Sequence, residues 1–264
     1  MSNPSTRIEA LLWDVDGTLA ETERDGHRVA FNHAFEALGL PWRWGVERYG
    51  ELLAVSGGRE RVLHDLASRS DAPVLPAERD ALARAVHQRK NALYAEIVRS
   101  GVVTLRPGVT ELLQECRSLG VRLAITTTTS RANVEALLRA SLGGEWLGWF
   151  ETLVCGEDVR AKKPDPEVFH IAVQRLRLSP LRCLAIEDSP GGVAAAHAAE
   201  VPVVVTRSSY FANATVEGAI AIGPGLDQRA GWRPAAPRGG DPARITFDDL
   251  SQWHMAMDEV SAFG

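Results

Sequence analysis

Short apolar runs alternate with helical patterns along most of this 264-residue chain, and the alternation breaks once, directly after the first run. Residues 8–13 have the length and composition of a buried strand. Similar runs return at 121–125, 153–155, 183–186 and 201–205. Residues 21–100 show only helical patterns. This order predicts an α/β fold whose parallel sheet is interrupted after its first strand by a helical insertion.

We therefore expect a Rossmann-like core from residues 1–20 and 101–264, and an all-helical cap domain inserted over residues 21–100. Residues 219–222 are predicted to form an edge strand. The Gly-, Pro- and Arg-rich segment 229–244 predicts a long surface loop, to which we assign no role. Helices are predicted at 31–38, 52–66, 78–98, 109–119, 133–140, 166–176, 191–199 and 247–260, with a loop at 56–58.

The charge and cysteine content exclude several classes of protein. The net charge is −5 without a block of like charges, which argues against binding to nucleic acid or to an anionic membrane. Cys116, Cys155 and Cys183 are far apart and form no CxxC pair, so we expect buried thiols. No run reaches the roughly 18–20 apolar residues of a membrane span. We expect a monomeric cytoplasmic protein.

Four polar clusters follow predicted strands or occupy equivalent places in the repeating pattern. They are Asp14 with Asp16, the hydroxyl run 126–130, Lys162 with Lys163, and Glu187 with Asp188. In open α/β sheets, ligand sites form where the carboxyl ends of the strands meet. We therefore expect these four clusters to converge on one site.

The acidic clusters suggest a divalent cation. Several carboxylates close together repel each other unless a cation neutralises them, and ligands that are all oxygen favour Mg²⁺. Gly17 permits a tight turn after the strand, and Thr18 adds a hydroxyl. An isolated Asp-Val-Asp-Gly segment is also compatible with a capped turn, so the metal interpretation is strengthened by the other clusters.

The remaining two clusters suit an anionic ligand. Hydroxyls and free amides at the start of a helix can bind phosphoryl oxygens, although a simple N-cap needs only one of them. Lys163 can balance both the carboxylates and a phosphoryl group. We interpret its neighbour Lys162 as an exposed loop residue.

Together these clusters resemble the four motifs of the haloacid dehalogenase superfamily: DVDGT at 14–18, Thr127 after a strand, KKPDP from 162, and EDS at 187–189. The insertion resembles that family's type-1 cap. The resemblance implies an aspartyl-phosphate mechanism with Asp14 as nucleophile and Asp16 as general acid and base. Aspartate at position 16 makes halide displacement an unexpected reaction. The resemblance further implies roles for Thr127 and Lys163 in binding the phosphoryl group, and a magnesium site formed by Asp14, the Asp16 carbonyl, Asp188 and Glu187.

The insertion holds the residues that could select a substrate. Arg59 and Arg61 follow the flexible loop Ser56-Gly57-Gly58 and could bind a second phosphate, or could simply be exposed at the start of a helix. ETERDGHRVAFN, SGGRER, RPG and TTTTSRANVEALL resemble the CbbY-type sugar-bisphosphate phosphatases. These convert xylulose 1,5-bisphosphate, a Rubisco inhibitor, to xylulose 5-phosphate in support of the Calvin cycle. The resemblance implies a substrate-binding set of Glu23, His27, Ser56, Gly57, Gly58, Arg59, Thr128, Ser130 and Asn133.

Within that set, the resemblance gives the distal phosphate to Arg59, Ser130 and Asn133, and the sugar hydroxyls to Glu23 and His27. Arg131-Ala132 departs from the Leu-Pro type of pair that is common there. Two other functions stay open. A mutase similar to β-phosphoglucomutase shares the four motifs, and a non-catalytic metabolite sensor could use the same scaffold. A sensor would not need Asp16.

Overall fold

A computed structural model describes residues 7–239 and 241–261, and its centre is a six-stranded parallel sheet. The spatial order is β3-β2-β1-β4-β5-β6, so the first strand lies in the middle between β2 and β4. The strands are β1 (Ala10–Trp13), β2 (Arg122–Thr126), β3 (Thr152–Val154), β4 (Cys183–Glu187), β5 (Val203–Thr206) and β6 (Ala221–Gly223). This sheet confirms the predicted α/β class.

Successive side chains of β1 point to opposite faces of the sheet, and each face has its own apolar core. Leu11 and Trp13 belong to one buried cluster, together with residues of three helices: α5 (Val109–Ser118), α6 (Arg131–Leu142) and α9 (Phe247–Ser261). Ala10 and Leu12 belong to the other, with α7 (Glu167–Leu176) and α8 (Pro190–Ala198). A strand that is buried on both faces has a continuous apolar sequence, and this pattern predicted β1.

Four helices lie between β1 and α5: α1 (Arg28–Ala37), α2 (Val46–Leu52), α3 (Gly58–Ala67) and α4 (Pro76–Arg99). They surround an aromatic cluster that includes Phe31, Phe35, Trp44 and Tyr49, so the insertion has a core of its own. The sequence predicted a helix over 52–66 interrupted by a loop at 56–58, and the structure has two helices with a break between them. The chain leaves α2 at Leu52 and begins α3 at Gly58, because Gly57 has a φ of 93°.

Two chain segments connect the helical insertion to the core, and they contact each other. Ala20 and Leu105 form an isolated antiparallel bridge, and the Arg106 amide donates to the Leu19 carbonyl at 2.8 Å. The segments therefore run side by side at the junction between the two units. The predicted domain limits include residues 1–6, 240 and 262–264, which lie outside the described residues.

The described residues between β6 and α9, 224–239 and 241–246, lie along the outer edge of the sheet; we call them the C-terminal strap. Ile222 and Arg233 exchange two backbone hydrogen bonds, so the strap covers the edge of β6. Trp232 is buried and stacks on Trp253 with 4.8 Å between ring centroids. Within the predicted surface loop over 229–244, the described residues form no helix or strand, but Trp232 contributes its side chain to the core. Among the described residues, we find no helix with both the length and the apolar character that a membrane span requires.

Candidate active site

The order of the strands brings the polar clusters together. Asp14 directly follows β1, and both neighbours of this strand are in register with it, since Trp13 pairs with Ile125 on one side and with Ile186 on the other. The side chains that follow these three strands consequently leave the sheet at one edge. Asp14 meets the end of β2 on one side and Glu187 on the other.

Lys163 connects these strand ends. Its Nζ donates to Asp14 Oδ1 at 2.7 Å, to Glu187 Oε1 at 2.6 Å and to the Thr126 carbonyl at 2.8 Å. The ammonium group has three donors, and all three are used. Lys163 is 5% exposed, so these contacts form in a low-dielectric environment. The sequence predicted that Lys163 approaches the carboxylates, and the structure places it between two of them.

Three buried carboxylates, those of Asp14, Glu187 and Asp188, lie close together at these strand ends. Burial raises the pKa of Asp14, with a further increase from Asp16 that Lys163 opposes. Burial and the charge of Asp14 raise the pKa of Glu187 to about 8, although Lys163 opposes this shift. Burial and the charge of Asp14 also raise the pKa of Asp188 well above its usual range. One lysine is therefore too little positive charge for the group. A divalent cation would supply the balance.

The donor set fits magnesium. Asp14, Glu187 and Asp188 each offer a carboxylate oxygen, and these atoms lie within 4.8 Å of one another. Glu187 Oε2 is buried and has no hydrogen-bond partner within the described part of the chain. Gly17 allows Asp188 to come this close, because a Cβ at Gly17 would overlap the Asp188 carboxylate. Oxygen ligands with room for water are the environment that Mg²⁺ prefers.

Asp16 turns away from this cluster and toward the cap. Thr22 Oγ1 donates to Asp16 Oδ1 at 2.5 Å, and His27 Nε2 lies 2.9 Å from the same oxygen. Burial by itself would raise the pKa of Asp16, but the charge and hydrogen bond of His27, with the hydrogen bond of Thr22, lower it below its usual range. Asp16 is therefore a carboxylate in the free protein, and His27 Nε2 donates to it.

Two cavities open between the core and the cap. The larger, about 580 Å³, is lined by Asp14, Asp16, Lys163 and Asp188, with Glu23, Ser56 and Arg61 on the cap side. The smaller, about 90 Å³, adjoins Asp16 and holds most of the predicted substrate-binding residues. Those lining it are Glu23, His27, Gly57, Gly58, Thr128 and Ser130.

Four predicted site residues line neither cavity, and one of them, Glu187, belongs to the buried carboxylate group described above. Arg59 is 37% exposed and forms an ion pair with Asp80. Asn133 donates to Asn91 and to Thr129, both at 3.2 Å. Thr127 is buried at the end of β2, where its hydroxyl accepts a hydrogen bond from the Thr129 amide at 3.2 Å.

The smaller cavity also contains cations outside the predicted substrate-binding set, although the sequence left Arg61 open as a residue that could bind a second phosphate. Arg61 is 8% exposed at its side chain and donates to the Tyr49 hydroxyl, which in turn donates to Glu23 at 2.5 Å. Lys162, interpreted from sequence as an exposed loop residue, lines the cavity instead and binds Glu60 of the cap at 2.7 Å. The sequence held no signal that distinguished Lys162 from other loop lysines.

Lys90 and His87, on α4, complete this lining. Burial lowers the pKa of Lys90 to about 8, and burial with the nearby Lys90 and Lys162 lowers the pKa of His87 to about 4. Lys90 occupies a position on the apolar face of α4, in line with Val86 and Tyr94. A lysine at helical spacing among buried apolar residues was the signal that could have identified it.

The fold and this buried carboxylate–lysine centre define a class of hydrolase. A family model described as haloacid dehalogenase-like hydrolase matches residues 8–200, and the chain belongs to that family. Within it, the chain is 40% identical over 247 residues to the plasmid-encoded CbbY protein of Cupriavidus necator, covering 94% of this chain and 97% of that protein. It is 46% identical over 203 residues to CbbY of Rhodobacter capsulatus, covering 77% and 87%.

A solved relative has the same fold. The crystal structure of CbbY from Rhodobacter sphaeroides in complex with phosphate superposes with a TM-score of 0.75 at 40% identity, covering 80% of this chain and 92% of that one. A second structure shows a mutant of that protein in complex with xylulose-(1,5)bisphosphate, with the same TM-score. These similarities confirm the predicted family.

Proposed function

We propose that this protein is a magnesium-dependent phosphatase that removes one phosphate from a sugar bisphosphate through an aspartyl-phosphate intermediate. The observation that carries the proposal is the position of Asp14. It binds Lys163 and lines the larger cavity, and Arg61 lines the cap side of the same cavity. The CbbY proteins support the substrate class, since one of them binds xylulose-(1,5)bisphosphate. We propose the same compound, converted to xylulose 5-phosphate, as the substrate.

Two groups of charges support a substrate with two phosphates. The core end of the site offers Lys163 and the proposed magnesium ion to the phosphate that is transferred. In the smaller cavity, Arg61, Lys90 and Lys162 can bind the second phosphate. This cavity is about where a short sugar would extend into the cap. Glu23 lines both cavities and His27 lines the smaller one, and both side chains can bind sugar hydroxyls. We propose this cation set for the second phosphate, with Ser130 beside it.

Asp14 performs the first half of the reaction. One carboxylate oxygen is held by Lys163, and the other attacks phosphorus, forming an O–P bond as the bond between phosphorus and the sugar oxygen breaks. Lys163 is already in contact with Asp14, so its charge stabilises the transferring group without reorganisation. In the second half, water attacks the aspartyl phosphate and restores the Asp14 carboxylate.

Asp16 transfers the proton in both halves. It begins as a carboxylate, and the approach of an anionic phosphoryl group raises its pKa, because like charges disfavour ionisation. A protonated Asp16 can then donate to the sugar oxygen as it leaves, and the resulting carboxylate can accept a proton from water. His27 and Thr22 bind a single oxygen of Asp16, Oδ1, which leaves Oδ2 for the substrate.

Asp14, Asp188 and the Asp16 carbonyl would hold the magnesium ion, and Glu187 would assist. When bound, the ion neutralises charge on the transferring phosphoryl group. Glu187 also accepts a hydrogen bond from Lys163 and so orients that ammonium group toward Asp14.

A substrate panel tests the proposal. Purified protein with Mg²⁺ should release phosphate from xylulose 1,5-bisphosphate with a higher kcat/KM than from ribulose 1,5-bisphosphate or from sugar monophosphates. Isomerised sugar phosphate without net phosphate release would establish a mutase instead. If the protein binds the bisphosphate and yields neither product, it is a sensor.

A further inference from the structure

Arg106 lies outside both cavities, yet its guanidinium group is bound by several elements that meet beneath the active site. Nη1 donates to the carbonyl of Gly17 and to the carbonyl of Thr206 at 3.1 Å. Nη2 donates to the carbonyls of Arg207 at 2.7 Å and of Pro224 at 3.0 Å. The planar fork of arginine can bind several carbonyls at fixed angles, which the single ammonium group of lysine cannot do.

The carbonyls of Gly17 and Arg207 belong to two segments that meet at Asp188. Gly17 lies against the Asp188 carboxylate on one side. Ser208, which directly follows Arg207, also lies beside this turn, since a Cβ at Gly17 would be 3.0 Å from the Ser208 Cβ. By binding the carbonyls of Gly17 and Arg207, Arg106 fixes the distance between the two segments that meet at Asp188.

We propose that Arg106 is a positioning residue for the cation site: it holds the Gly17 turn and the Arg207–Ser208 segment so that Asp188 and Asp14 present their oxygens to one ion. This inference rests on the proposed function, because it concerns the magnesium site named there. The Arg106 amide also binds Leu19 of the first linker at 2.8 Å. The same residue therefore joins the cap junction to the metal-binding turn.

Removing Arg106 should change the affinity for Mg²⁺, and the direction of this change distinguishes a positioning role from a simple charge effect. Arg106 is a cation close enough to Asp188 for their charges to interact. If charge alone mattered, removing it would tighten Mg²⁺ binding, because like charges repel. If Arg106 positions the ligands, removing it weakens Mg²⁺ binding despite the lost repulsion.

Isothermal titration of Mg²⁺ into the substrate-free protein tests the proposal in wild type, Arg106→Lys and Arg106→Met. We expect the Kd for Mg²⁺ to rise about 10-fold or more in both variants, as for other residues that orient metal ligands. With saturating Mg²⁺, we expect kcat to fall while KM changes less than about 2-fold, since neither cavity is altered.

Arg122→Met is the matched control. Arg122 also binds across elements, to Glu151 and to the Leu176 carbonyl, but at the opposite end of the sheet. We expect this variant to lose stability toward urea without any change in Mg²⁺ affinity. Unchanged or tighter Mg²⁺ binding in Arg106→Met, or full affinity in Arg106→Lys, would overturn the proposal. If the wild type itself binds no Mg²⁺, the proposed function fails instead.

Discussion

Lys162 of the core donates to Glu60 on cap helix α3 at 2.7 Å, and this ion pair spans the entrance between the two units. Gly57 makes the contact possible, because a Cβ there would overlap the Glu60 carboxylate and crowd the Lys162 ammonium group. The ion pair holds the Lys162 ammonium group at the smaller cavity. In the sequence, Lys162 directly precedes Lys163, which binds Asp14. A loop residue thereby becomes part of the wall that faces the cap.

Replacing Lys162 by Met should weaken binding of the second phosphate. A charge-assisted hydrogen bond contributes on the order of 1.5–3 kcal/mol, so we expect KM for a sugar bisphosphate to rise about 10-fold or more. KM for a monophosphate should change little. Arg59→Met is the matched control, because Arg59 pairs with Asp80 outside the cavities. A larger effect from Arg59 than from Lys162 on the bisphosphate would support the sequence-based assignment and contradict ours.

Replacing Asp14 by Asn should abolish turnover, because an amide is a poor nucleophile. We expect kcat to fall by about 10³-fold or more with the fold intact, since the amide has nearly the shape of the carboxylate. Phosphate release and near-ultraviolet circular dichroism measure the two effects. Asp25→Asn, whose side chain is 58% exposed, should remain active. Substantial magnesium-dependent activity in Asp14→Asn would exclude Asp14 as the nucleophile.

Lys90 predicts a decline of kcat/KM above neutral pH. Its pKa of about 8 means that the free protein loses this cavity cation as the pH rises through 8. We expect kcat/KM for a bisphosphate to fall there, and Lys90→Arg, which keeps its charge, to shift the fall to higher pH. The same pH profile in both proteins would show that another group is responsible.

The stability of the protein should change with the opposite sign over the same range. The pKa of Lys90 is lower in the folded protein than its unperturbed 10.5, so the unfolded chain binds more protons between about pH 8 and 10.5. Burial of the charged amine thus costs stability below pH 8, and this cost disappears as the pH rises. Relative to Lys90→Met, the wild-type free energy of unfolding should rise by on the order of 3 kcal/mol across this range. Urea titrations at several pH values measure it, and a flat difference would contradict the assignment.

Replacing Asp188 by Asn should have opposite effects with and without metal. Without Mg²⁺, we expect the variant to have a higher Tm than the wild type, because one charge leaves a crowded carboxylate cluster. At Mg²⁺ concentrations near 100 times Kd, the wild type should gain about 2.7 kcal/mol, and the variant should gain almost none. Asp248→Asn, at an exposed position on α9, should respond like the wild type. Equal stabilisation of Asp188→Asn by Mg²⁺ would place the ion elsewhere.

Replacing Gly223 by Ala should destabilise the contact between the strap and the sheet. A Cβ at Gly223 would overlap the buried indole of Trp232. We expect a loss of about 1–3 kcal/mol in the free energy of unfolding, measured with urea. Gly144→Ala is the control, because a Cβ there meets nothing within 4 Å. Similar effects at both positions would show that Trp232 does not constrain Gly223.

The sequence by itself determined the sheet and the chemical centre of the site. Apolar runs fix where parallel strands end, and those ends share one edge, so Asp14, Lys163 and Glu187 could be brought together without coordinates. Local composition likewise placed the helical insertion between β1 and β2. These inferences succeed because strand burial and strand-end position are local properties of the chain.

Only the tertiary structure decided which cap side chains face the cavity. Arg59 and Arg61 are two residues apart on α3, and an advance of two residues turns a helix by about 200°, so they point to opposite sides. Lys90 reaches the site from α4, and Lys162 turns toward Glu60 because the cap packs there. Spacing separates the faces of a single helix, but it does not encode which face meets the core, because that depends on how the helix packs against another unit.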